Sequence, residues 1–351
     1  MRIFITGGAG FIGRRLCTLL KVDHEVTVYD NFLPQVHGAD AAPSPMLEGV
    51  HVIRGDVRDA AALAAAFREA RPERVYHLAS ETGTGQSYDE PTRYNMVNIM
   101  GTSHLIDAVR AQAGVSRVLV AGSRSVYGEG ACVDARGNHV LARARTAADM
   151  AKGVFTPRSA TDELLTPVAT RAAICPASPA SIYASTKLLQ EYLLAQAFWG
   201  TDVEVGILRL QNVYGPGQSL SNPYTGVISI FRKQIEEEST LNIYEDGAIV
   251  RDFVYVDDVA RAFALIGLAQ KCPHEVLDIG SGEPTQIVDM ARMLLVMMGR
   301  PKDKLRVTGQ FRAGDVRYAV ADISDTIRHL DWRPQVTLEA GMSKFMEWSG
   351  E

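Results

Sequence analysis

Cysteine is scarce in this chain, long apolar runs are absent, and no basic tract is longer than two residues. Cys17, Cys132, Cys175 and Cys272 stand far apart in 351 residues. No Cys-x-x-Cys pair occurs and no cysteine joins a histidine cluster of zinc-ligand spacing, so isolated reduced thiols are expected and no metal site. No apolar stretch approaches the ~18 residues of a membrane helix, and Met1 leads straight into the apolar Ile3-Phe4-Ile5 without a leader pattern. The expectation is a cytoplasmic protein with no membrane partner. Net charge is −5, and the longest basic tracts are the pairs Arg14-Arg15 and Arg232-Lys233. That excludes the basic footprint of a nucleic-acid binder.

What is present is core-forming. Hydrophobic residues make up 46% of the chain, enough for one large α/β unit or two fused lobes. Short apolar runs at 2–6, 25–29, 50–53, 74–78 and 117–121 alternate with helical patterns at 11–20, 59–69 and 95–111. This rhythm predicts a parallel sheet with helices on both faces. Further strands are expected at 203–210, 241–244, 253–255 and 275–279, and helices at 182–198, 227–238 and 287–298. The fold class is therefore α/β, a Rossmann-type doubly wound parallel sheet with a smaller C-terminal α/β substrate lobe. Residues 1–211, rejoined by 249–280, are assigned to the dinucleotide domain, and 212–248 with 281–351 to the lobe. Residues 128–179 are weakly patterned and read as a long loop, a candidate lid.

The first turn carries Thr6-Gly7-Gly8-Ala9-Gly10-Phe11-Ile12-Gly13 between a strand and a helix. Gly7 permits a tight turn, Gly10 a close approach of pyrophosphate to the helix N-terminus, and Gly13 close helix packing. Asp30 closes the second strand at roughly the 20-residue spacing of such sites. A carboxylate there accepts from a ribose 2′-hydroxyl and repels a 2′-phosphate, and Asn31 rather than an arginine follows it. NAD is thus the expected cofactor. Asp56, followed by Val57, is placed at the adenine, or alternatively at the N-terminus of the 59–69 helix.

Two further segments carry chemistry. Ser123-Arg124-Ser125-Val126-Tyr127-Gly128 follows the fifth strand, and Tyr183-Ala184-Ser185-Thr186-Lys187 opens a helix. Residues four apart share a helix face. A lysine there lowers a phenol from its usual ~10, which equips it to move a proton off a sugar alcohol.

With these motifs the chain resembles an extended short-chain dehydrogenase/reductase of the NAD-dependent epimerase/dehydratase type acting on nucleotide sugars. Other marks are His77-Leu78-Ala79-Ser80, Asn98 with Gly101-Thr102, the 209–217 segment, Arg251-Asp252-Phe253, Val256-Asp257-Asp258 and Gly314-Asp315. The resemblance implies that Tyr183 is the acid/base, that Lys187 holds the nicotinamide ribose, and that Ser123 bonds the reacting sugar oxygen. It places Leu78, Ala79, Ser80 and Asn98 at the cofactor. It assigns Asn212, Arg251 and Arg312, with Arg317 as the weaker alternative, to the sugar diphosphate, and Asp315 to the nucleoside ribose. Thr82 and Thr84, in a polar loop at 81–87, are candidates for the sugar, together with Gln211 and the 218–224 segment.

Departures from the family narrow the reaction. Dehydratases of this type resemble Thr-Asp-Glu where this chain has Ser-Arg-Ser, and Arg124 cannot act as a base. Decarboxylases resemble Ser-Glu there. Gly122 stands where many relatives carry a serine. What remains is a 4-epimerase, similar to the dTDP-L-rhamnose and UDP-glucose 4-epimerases, or a 4-ketoreductase or dehydrogenase. A nucleotide-diphosphate sugar is the implied substrate and a homodimer the implied assembly, paired through the 95–111 and 182–198 helices.

Overall fold

A seven-stranded sheet runs in the order Leu277–Ile279, Glu204–Leu210, Arg117–Ser123, Arg74–His77, Arg2–Thr6, Glu25–Asp30, His51–Arg54 in the computed structural model. The structure describes residues 1–38, 41–219, 222, 226–312 and 314–348. The registers Ile3↔Val26, Ile3↔Arg74, Thr27↔His51 and Val75↔Val118 are all parallel. The first strand lies between the second and the fourth, so the chain order reverses beside it. In such sheets ligands bind beyond the strand C-termini at that reversal. The Gly7 turn and the Leu78-Ala79-Ser80 turn both leave the sheet there.

The chain divides into two compact units. The first comprises 1–123, 181–209 and 256–276; the second comprises 124–180, 210–255 and 277–351. The expected boundary kept 124–180 with the dinucleotide domain. The structure groups it with the second unit, because Thr170 bridges to Ala321 and Thr170 N donates to Val320 O.

Helix Phe11–Leu20 forms because Gly13, Leu16, Cys17 and Leu20 recur on one face, which is buried. It packs on helix Val256–Leu268. Helix Ala60–Ala70 is capped by Asp59, whose carboxylate accepts from Ala62 N at 2.9 Å. Phe4, Phe67, Val75, Leu105, Val118, Leu194 and Phe198 form one continuous core. Each such side chain contributes about 1.5–3 kcal/mol by leaving water. The second unit has its own core around Tyr214, Phe231, Phe253, Leu294, Met342 and Phe345.

Three expectations change. The 128–179 segment is not a structureless loop: Ala131–Val133 pairs antiparallel with both His139–Leu141 and Thr166–Pro167, and Ala147–Ala151 is helical. Strands of two or three residues are too short to show a period. The 95–111 helix is split into a π-helical turn, Asn95–Met100, and an α-helix, Gly101–Arg110. The 81–87 loop becomes helical from Thr84, as Thr84–Asp89. Of the 218–224 segment, 220, 221, 223 and 224 lie outside the described residues.

Candidate active site

The glycine turn is closed by the sheet beneath it. Gly7 has φ +70°, and a Cβ there would lie 2.6 Å from Ala79 N. At Gly13 a Cβ would meet Gly7 O and Gly8 Cα, both at 2.6 Å. Gly13 therefore fits the helix onto the turn itself. At Gly10, the N-cap, a Cβ would meet only Gly7 O, at 3.2 Å. The first turn that follows, opening with Phe11 and Ile12, has no side-chain cap and no acidic residue. Its amides are left for an anion.

Asp30 is buried at the end of its strand. Its carboxylate accepts from Ala9 N at 3.0 Å and Phe32 N at 2.8 Å, which fixes it against the glycine turn. Asn31 donates to Asp56 at 3.0 Å, and Arg58 binds the same carboxylate through Nε and Nη2. Burial opposes ionisation of Asp56, but the Arg58 and Asn31 hydrogen bonds bring it down to about 2. The helix N-cap is Asp59, so the capping alternative for Asp56 does not hold. Val57 is buried, with Gly101 so close that a Cβ there would lie 2.6 Å from Val57 Cγ2.

Tyr183 is the second residue of helix Ile182–Ala197, capped by Ser181, whose hydroxyl accepts from Ala184 N at 3.1 Å. The ring of Tyr94 stands edge-on to that of Tyr183, centroids 6.3 Å apart. Tyr94 is fully buried, and its hydroxyl donates to Thr82 O at 2.6 Å. It ties the Thr82 turn to the tyrosine, a link sequence reasoning missed. Lys187, one turn further, is 3% exposed. Its ammonium donates to Gln190 Oε1 at 2.5 Å and Ser80 Oγ at 3.3 Å. Burial pushes it down to about 8, with Glu191 pulling the other way.

Below it lies a buried polar chain. Gln190 Nε2 donates to Thr102 Oγ1 at 3.0 Å and lies 3.3 Å from His77 Nε2. His77 Nδ1 meets Thr6 Oγ1 at 2.7 Å, and burial drives its pKa down to about 3, so it is neutral. Asn98, in the π-turn, donates to Thr186 Oγ1 and accepts from Ser80 Oγ and Glu81 N. π-turns recur at functional sites. Every amide and hydroxyl here is satisfied, which holds Lys187 and Ser80 rigid.

Ser123 ends its strand and is 9% exposed. Ser125 falls in the 3₁₀ turn Arg124–Tyr127. The missing serine at Gly122 has a physical cause: a Cβ there would lie 2.8 Å from Glu191 Oε1 and 3.1 Å from Leu208 O. Glu191 is held in place by Arg209, whose Nη2 donates at 2.7 Å and Nε at 3.1 Å.

In the second unit Arg251 is 5% exposed and its Nη2 donates to Asp315 Oδ1 at 2.5 Å. Burial opposes ionisation of Asp315, but Arg251 and then Arg124 hold it below the ordinary carboxylate range. Arg312 is exposed and stacks on Tyr244, 4.8 Å from the ring centroid. Asn212 begins a short strand, its N–H on Asp252 O. Arg317, the weaker candidate, is bound instead to Glu245 and Asp246. Among the described residues no cluster of three potential metal ligands occurs. No helix among them is long and apolar enough to cross a membrane.

A profile of the NAD dependent epimerase/dehydratase family matches residues 3–280. The chain belongs to that family. It is 40% identical to the dTDP-L-rhamnose 4-epimerase of Burkholderia thailandensis, covering 99% of this chain and 94% of that relative. Its fold matches the NAD complex of Thermus thermophilus UDP-glucose 4-epimerase with a TM-score of 0.78, at 27% identity over 99% of this chain and 98% of that one. The Bacillus cereus UDP-glucuronic acid 4-epimerase, in complex with UDP-glucuronic acid and NAD, gives 0.80 at 25% identity, over 99% and 98%.

The protein is an NAD-dependent enzyme, and its residues fit that cofactor. The uncapped helix N-terminus at Gly10 suits a pyrophosphate. The carboxylate of Asp30 is anchored at the strand end where a ribose is read.

Proposed function

We propose that the protein is a nucleotide-sugar 4-epimerase, acting on a dTDP- or UDP-linked hexose or 6-deoxyhexose. One observation carries this reading: Tyr183 and Lys187 share one helix face, while Ser123 is followed by Arg124 and not by an acid. The set serves oxidation and re-reduction of one hydroxyl and lacks the acid/base pair of an elimination.

NAD, when bound, supplies the acceptor and then the donor of the C4 hydride. Tyr183 Oη takes the proton of the 4-hydroxyl and later returns it. Lys187, braced by Ser80 and Gln190, stabilises the phenolate and holds the nicotinamide ribose. Ser123 Oγ bonds the reacting oxygen. Because inversion at C4 requires hydride to leave one face of the ring carbon and return to the other, the 4-keto sugar must turn between the two transfers, and Tyr183 and Ser123 must serve its oxygen in two orientations. Asn212, Arg251 and Arg312 bind the diphosphate, where planar guanidinium groups suit phosphate oxygens. Asp315 accepts from the nucleoside ribose, and Thr82 and Thr84 bond the sugar. Exposed Met96, Met100, Leu189 and Tyr192 on the two expected pairing helices support a homodimer, which light scattering tests.

The deciding experiment incubates the purified protein with dTDP- and UDP-hexoses and resolves C4 epimers by NMR. Interconversion without accumulation of NADH is the expected result. Stoichiometric NADH would instead support a dehydrogenase with the same residues.

A further inference from the structure

Segment 124–180, which separates Ser123 from Ser181, ends up with one of its arginines in the interior of the second unit. The side chain of Arg145 is 4% exposed. Its Nε donates to Glu129 Oε1 and its Nη1 to Glu245 Oε1, each at 2.7 Å. Its Nη2 donates to the backbone oxygen of Asp315 at 2.8 Å. Both carboxylates are shared with Arg317. Glu245 Oε2 accepts from Arg317 Nη1 at 2.8 Å, and Glu129 Oε2 accepts from Arg317 N at 2.9 Å. Arg145, Glu129, Arg317 and Glu245 thus close a ring of hydrogen bonds, one of its links made by the Arg317 backbone N–H, and Asp246 pairs with Arg317 at its edge.

A buried ion network of this kind is no more stabilising than apolar side chains of the same volume. Its distinguishing property is geometric: a guanidinium fork reaches several acceptors at fixed angles. Besides the two glutamates and Phe155 O, 3.3 Å from Nη1, Arg145 reaches the carbonyl of Asp315, whose carboxylate meets Arg251. Gly314, at φ +74°, turns the chain immediately before it, while Asp315 N donates to Arg312 O at 3.3 Å and Val316 N to Asp315 Oδ1 at 2.9 Å, so the loop is held on both sides of the carboxylate.

We propose that Arg145 is a positioning residue for nucleotide recognition: segment 124–180 delivers it to the Asp315 carbonyl, where it sets the Arg251–Asp315 pair at the spacing a nucleoside diphosphate requires. The proposal rests on the reading of Arg251 and Asp315 as nucleotide-binding. It gives the segment a role in substrate affinity and none in the proton transfer at Tyr183.

The test uses the NAD-loaded enzyme. UDP and dTDP are titrated calorimetrically into the wild type, Arg145→Met, Arg145→Lys and Arg143→Met, with NAD content and the KM and kcat of epimerisation measured on each. Losing a charge-assisted hydrogen bond predicts about tenfold to a hundredfold weaker nucleoside diphosphate binding by Arg145→Met, with a matching rise in KM. Its kcat and NAD content should stay at wild-type values. Arg145→Lys keeps the charge but cannot span these acceptors, so it should fall between the two, while Arg143→Met behaves as wild type. If Arg145→Met does not fold, Arg145→Lys decides alone. Wild-type affinity in either Arg145 variant that folds, or a fall in kcat at unchanged KM, overturns the proposal. If the wild type itself binds neither UDP nor dTDP, the nucleotide-sugar reading falls and the proposal with it.

Discussion

The Lys187 ammonium sits in the protein interior against neutral dipoles, and that makes a measurable demand on stability. Its ordinary value is 10.5 and burial lowers it to about 8. Below pH ~8 both folded and unfolded chains carry the proton, and the folded one bears the desolvation penalty. Between pH ~8 and 10.5 the folded chain has lost the proton while the unfolded chain keeps it. The unfolded state then binds more protons, so this group's contribution to stability rises with pH across that window. At 1.36 kcal/mol per pH unit over about 2.5 units, the change is on the order of 3 kcal/mol. Lys187→Met removes the titration but roughly preserves the volume. Urea unfolding of both proteins, at matched NAD content and from pH 7 to 10.5, isolates the effect, since other titrating groups cancel in the difference. The wild type should gain about 3 kcal/mol on the variant between pH 8 and 10.5 and nothing between pH 7 and 7.5. A difference that stays constant, or that moves the other way, refutes a depressed Lys187.

The same ionisation should appear in catalysis: kcat/KM of epimerisation should fall above pH ~8 as Lys187 loses the charge that supports the phenolate, and a profile flat to pH 9.5 would contradict it. Tyr183→Phe should lose about 10²–10⁴ in kcat while retaining NAD and its thermal midpoint, read by NMR turnover and calorimetry. Gly13→Ala places a Cβ 2.6 Å from two backbone atoms of the turn, and should cost about 1–3 kcal/mol in urea unfolding and reduce co-purified NAD. Arg209→Met leaves the Glu191 carboxylate, 2% exposed, without its cation, and should destabilise by about 3–5 kcal/mol, partly restored by adding Glu191→Gln.

What the linear sequence determines here is whatever depends on neighbours within one element. Alternating apolar runs placed the strands of the parallel sheet to within a residue or two, because a strand buried on both faces is apolar throughout. The Gly7–Gly13 spacing and Asp30 marked the candidate dinucleotide turn, since glycine requirements and strand-end position are local. The i, i+4 spacing put Tyr183 and Lys187 on one face for the same reason. Beyond that range the pattern falls silent. Nothing near Lys187 announces that Gln190 links it to a neutral His77 more than a hundred residues away. Nothing near Gly122 reveals that the Glu191–Arg209 pair fills the space a serine would need. Segment 128–179 read as a loop because its strands are two or three residues long and Thr170 finds its partner only at Ala321. Those choices belong to packing: a buried charge or amide must find its partner wherever the chain has folded one into reach. Only the tertiary structure brought Arg145 to Asp315.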